Sequence, residues 1–205
     1  MIEQIKLAFS ENRLAIIVAT VILFASLVLG YFLEPYLHGY LSPVVEQLEE
    51  GVSNGTIKVT FNSIFLNNIR IVFLMFLTGF ILCFSAIILA FNGLFVGYFV
   101  ADYGNLVKSL LYLIPHGIFE LSSIVIACAS GFVAFNFLFK FLKTLSIQEN
   151  NSVKDKLAIS FNESSIKLEQ AIILLMVASI LMAVAGFVEA YLTIPIADYL
   201  LSILS

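Results

Sequence analysis

His116 and Glu120 stand four residues apart, which places them on one face of a helix, and Glu189 is a third ionisable residue set in an apolar run. An imidazole with two carboxylates supports three kinds of chemistry. It can relay protons, because histidine changes charge near neutral pH. It can hold a divalent cation, as in some catalytic zinc centres. It can also join helices inside a bilayer by hydrogen bonds. The chain has no Gly-x-Ser-x-Gly element, no phosphate-binding glycine loop and no cysteine close to a histidine, so nucleophilic catalysis is set aside. Ser122 and Ser123, near His116, are read as helix hydrogen-bonding residues. His38 lies in a distant segment and no paired-histidine helix motif is present, so the metal candidates are His116, Glu120 and Glu189. No resident cofactor is expected beyond that metal alternative.

The elements that position these groups follow from composition. Of 205 residues, 61% are hydrophobic and 12% charged, with a mean hydropathy of +1.06. A soluble domain has about 25% charged residues, so a polytopic membrane protein is expected. The net charge of −4 leaves no basic surface for nucleic acid. With 20 Phe, 8 Tyr and no Trp, tyrosines must serve as interface anchors. Cys83 and Cys128 sit in apolar runs and read as small hydrophobes.

A spanning helix needs about 20 apolar residues. Residues 14–33, 69–91, 117–139 and 171–192 meet that length, and Asn92-Gly93 reads as a left-handed helix stop after the second. Lysines 140, 143, 154, 156 and 167 lie in segment 140–169, whereas 34–68 holds Lys58 against Glu34, Glu46, Glu49 and Glu50. By the positive-inside bias the first segment is cytoplasmic and the second external. A further crossing is then required over 93–114, where Asp102, Gly104, Asn105 and Lys108 predict a broken helix shielded inside the bundle. The expected fold is an all-α polytopic transmembrane bundle of about five spans, one of them broken. It forms a single integral membrane domain over 1–205, at the cell membrane, with the N-terminus cytoplasmic and the C-terminus external. A re-entrant hairpin at 93–114 would instead invert the last two spans, against the charge bias.

Outside the spans, Ser42-Pro43 predicts a helix start running to Gly51, as a lid or a membrane-surface element. Val153, Leu157, Phe161 and Leu168 predict an amphipathic helix running into the last span. Gly93 with Gly97, Ala127 with Gly131 and Gly186 with Ala190 share small-x-x-x-small spacing, which lets helices approach closely within one chain or between copies. A homo-oligomer is thus left open. Asn54-Gly55-Thr56 fits a glycosylation acceptor but carries no weight alone.

Asn92-Gly93 with Gly97, then Pro115-His116-Gly117 followed by Glu120, then Glu189 to Thr193, form an ordered set of motifs along roughly residues 67 to 195. In this set the chain resembles the stage II sporulation protein M family. It departs from the family pattern in placing Ile194 between Thr193 and Pro195. The resemblance implies an all-helical membrane protein. It also implies partners among membrane or envelope proteins, the named member in endospore formers holding peptidoglycan-degrading enzymes at the engulfing membrane. Three functions are weighed: a non-enzymatic scaffold or complex subunit, a transporter or channel using His116, Glu120 and Glu189, and a membrane metal site. The transporter reading draws on the broken helix around Asp102 and Asn105.

Overall fold

The computed structural model describes residues 2–56, 60–81, 84–147 and 152–204; Lys58 and Cys83 lie outside them. The helices are α1 (Ile2–Glu11), α2 (Arg13–Phe32), α3 (Glu34–Ser53), α4 (Phe61–Gly79), α5 (Phe84–Asp102), α6 (Leu106–Ile147), α7 (Val153–Tyr191) and α8 (Thr193–Leu204). Among the described residues there is no strand. Five helices, α2, α4, α5, α6 and α7, are long and apolar enough to cross a membrane. The architecture is an all-α bundle.

Small residues line its closest helix contacts, and many large apolar ones stand on its outside. α2 buries Ala19, Leu23, Ser26 and Gly30, while Val21, Phe24 and Val28 of the same helix stand exposed. This is the distribution expected where lipid solvates bulky side chains and helix contact depends on close backbone approach. α2 and α5 meet in this way: a side chain at Gly97 would strike the Leu27 carbonyl, and one at Gly93 would strike the Ser26 hydroxyl. Gly79 of α4 lies against the backbone of Gly131 on α6. The small-residue pairs on α5 and α6 therefore pack within the chain.

α6 and α7 form the long central pair. Ser123 Oγ donates to the Ala178 carbonyl and Ser130 Oγ to that of Ala171, each at 2.7 Å. At 1.5 Å per residue, helices of 42 and 39 residues reach about 60 Å. They exceed a hydrocarbon core of about 30 Å, so each carries an arm beyond it. The arm of α7 includes the amphipathic stretch from Val153 to Leu168, continuous with the last span.

Four features correct the sequence reading. The second span does not run over 69–91, because α4 ends at Gly79 and α5 starts at Phe84. Asn92-Gly93 is no helix stop: Asn92 Nδ2 donates to the Ile88 carbonyl inside α5 at 2.8 Å, and Gly93 is the contact with α2. The polar group assigned to a broken span at 93–114 falls at helix ends instead. Asp102 closes α5, Gly104 takes a left-handed φ of 70°, and Asn105 Oδ1 accepts from the Lys108 backbone N–H at 3.0 Å, capping α6. Finally, Ser42-Pro43 is not a helix start. α3 begins at Glu34, with Pro35 in the first turn where a missing N–H costs nothing, and continues through Pro43 to Ser53.

At the α1 end, a polar network joins α1 to α7. Lys167 Nζ lies 3.2 Å from Glu11 Oε2 and 2.8 Å from Gln170 Oε1, and Gln170 Nε2 donates to Glu11 Oε2 at 2.8 Å. Asn12 Nδ2 donates to Gln170 Oε1 at 2.9 Å. The hydrogen bond from Gln170, and then Lys167, hold the Glu11 carboxyl below its ordinary value.

Candidate functional site

The opposite end of the bundle, where α8 packs on α6, holds the three ionisable residues. Their positions follow from local backbone chemistry. Pro115 lies inside α6 and cannot donate to the Leu111 carbonyl, so His116 and Glu120 follow a weakened turn. α7 stops just beyond Glu189, with the Leu192 N–H closing on the Val188 carbonyl at 2.8 Å. α8 starts at once at Thr193, and Pro195 occupies its first turn.

One ligand atom of each of His116, Glu120 and Glu189 lies within 4.8 Å of the others. Thr193 Oγ1 donates to the Val188 carbonyl at 3.2 Å. With its proton so engaged, it accepts from His116 Nδ1–H across 3.1 Å. That assignment leaves Nε2 of a neutral imidazole as the lone-pair nitrogen. Asn68 of α4 donates through Nδ2 to Glu120 Oε1 at 3.2 Å. Four elements, α4, α6, α7 and α8, thus meet in one polar cluster. Two carboxylates this close in an apolar setting require a proton or a cation between them. A divalent ion is one occupant that the donor set fits, with His116, Glu120 and Glu189 as ligands.

The other residues singled out in the sequence lie elsewhere. Asn92 is in the middle of α5, and Gly93 and Gly97 form its contact with α2. Gly117 borders a cavity of about 340 Å³ between α2, α5 and α6, lined also by Leu27, Val28, Val100, Leu113 and Ile114. Asn105 caps α6, and Asp102 meets His38 instead of the cluster. Asn68 escaped the sequence reading, since the Asn67-Asn68 pair ahead of an apolar run carries no periodic signal. His38, set aside from the His116 set as lying in a distant segment, is brought to Asp102 by the packing of α3 on α5.

A family model described as stage II sporulation protein M matches residues 15–194, which include the whole cluster. The chain belongs to this family. Two uncharacterized proteins of Methanocaldococcus jannaschii are similar to it. MJ0793 is 32% identical over 158 residues, covering 71% of this chain and 78% of that protein. MJ0706 is 29% identical over 205 residues, covering 94% and 87%. No solved structure matches the chain. Family membership and five long apolar helices together make this an integral membrane protein.

Proposed function

We propose that this protein is a non-enzymatic membrane scaffold, a multi-pass subunit that holds other membrane or envelope proteins. The observation that carries the reading is the cluster of His116, Glu120 and Glu189. Thr193 and Asn68 fasten it to two further helices, as a clasp would require. The long arms of α6 and α7 support the same reading, because they offer surface beyond the bilayer. The lysines of segment 140–169 orient those arms and the N-terminus to the cytoplasm, with α3 and α8 external.

A second reading, a permeation subunit that passes a cation at the cluster, is favoured by the convergence of three ligand atoms within 4.8 Å. It loses the broken helix that first motivated it, because Asp102, Gly104 and Asn105 lie at helix ends. Proteoliposomes separate the two. A scaffold leaves proton, sodium and potassium flux at the empty-liposome level for wild type and Glu189→Gln alike. Wild-type flux above that level, abolished by Glu189→Gln, overturns the scaffold reading.

A further inference from the structure

A second set of ligand-type side chains stands where α3 meets the end of α5. Glu34 and His38 are one turn apart on α3, and Asp102 is the last residue of α5. His38 Nδ1 lies 3.4 Å from Glu34 Oε1 and 3.0 Å from Asp102 Oδ1. One ligand atom of each lies within 4.8 Å of the other two. Behind them Tyr98 is wholly buried. Its hydroxyl donates to Asp102 Oδ1 at 3.1 Å and lies 3.3 Å from His38 Nδ1.

The set is rich in acceptors and poor in positive charge. Two carboxylates share one imidazole and one hydroxyl: the Tyr98 hydroxyl donates to Asp102, and His38 Nδ1 faces both Asp102 and Glu34. Among the described residues, neither carboxylate is ion-paired with Lys or Arg. Glu46 adds further negative charge at the Tyr98 hydroxyl. A bound cation would offset both carboxylates at once.

Distances and donor types select its class. An ion bound at about 2.0–2.2 Å in a tetrahedral site holds its ligand atoms roughly 3.3 Å apart. The contacts to His38 Nδ1, 3.0 and 3.4 Å, bracket that spacing. Imidazole with carboxylates suits zinc and its transition-metal neighbours, whereas calcium and magnesium prefer all-oxygen sets. The Tyr98 hydroxyl on Asp102 is the outer-shell hydrogen bond that orients a ligating carboxylate. The His38 side chain is 56% exposed, so an ion can reach the site and complete its shell with water.

We propose that Glu34, His38 and Asp102 bind a divalent transition ion of the zinc class, which staples the start of α3 to the end of α5. This site is independent of the intramembrane cluster and of the scaffold reading.

The test uses the full chain in nanodiscs, stripped with a chelator, titrated with Zn²⁺ by calorimetry and assayed for retained metal by mass spectrometry. Wild type is expected to take up one equivalent that excess Ca²⁺ and Mg²⁺ do not displace. His38→Gln and Asp102→Asn weaken the uptake by about tenfold or more, and Glu3→Gln, in α1 at the other end of the bundle, leaves it unchanged. His38 is mostly exposed, so His38→Gln keeps the test valid if Asp102→Asn fails to fold. The proposal is overturned if wild type retains no zinc, if His38→Gln binds as wild type does, or if His116→Ala alone abolishes binding. Displacement by Ca²⁺ overturns the zinc-class assignment.

Discussion

Thr193 shows how much one hydroxyl can carry at the clasp, since it accepts from His116 and donates to the end of α7. Thr193→Val keeps the shape and removes both bonds, so it is expected to destabilise the protein by about 0.5–1.5 kcal/mol, read as a lower melting temperature in detergent. Asn68→Leu is expected to cost a similar amount, by leaving Glu120 without that donor. Destabilisation by neither variant would mean that the cluster does not hold helices together. Glu11 supplies a pH test at the other end. Its folded carboxyl titrates below the unfolded value, so its contribution is present above the unfolded value and is lost as pH falls through the folded one. Melting temperature should therefore fall more steeply for wild type than for Glu11→Gln as pH is lowered from neutral past about 4. Parallel curves would contradict the network. At this scale the sequence revealed the ionisable residues, because His and Glu are conspicuous in an apolar run. It did not reveal Asn68, whose partner lies 52 positions away.

Helix contacts in this bundle rest on absent side chains as much as on present ones. At Gly97 a Cβ would meet the Leu27 carbonyl, a backbone atom that cannot rotate aside. Gly97→Leu should force α5 off α2 and cost about 1–3 kcal/mol or more, and Gly39→Leu, where a Cβ meets nothing, should cost far less. Thermal melts of the two variants in detergent check the contrast; equal effects would contradict the α2–α5 packing. The existence of the long helices was legible from hydropathy, but two boundaries were not. Hydropathy runs unbroken from α4 into α5, so the Asn-Gly pair at 92–93 attracted the break that belongs near Gly79. The polar residues from Asp102 to Asn105 looked like a flaw inside a span because the preceding boundary had been placed too late. Moving that boundary earlier turns them into ordinary helix punctuation: a last residue, a left-handed glycine and a cap.

For the whole molecule, five apolar helices, two of them far longer than a span, describe a membrane-embedded body with helical arms. Under the proposed orientation, a cysteine placed at Lys154 should react with an impermeant maleimide only after the cells are opened, and one placed at Tyr36 should react in intact cells. Reversed labelling would invert the topology. Family and architecture could be recognised from the order of the Pro-His-Gly-x-x-Glu and C-terminal motifs, which lie inside the residues 15–194 that the family model matches. The joining of α3 to α5 through His38 could not, because nothing local in the chain encodes a contact 64 residues away. The most direct test of the scaffold proposal is native mass spectrometry of the protein extracted gently from its host's membranes. A second protein at fixed stoichiometry is the predicted result; a bare monomer or homo-oligomer in every preparation would contradict it.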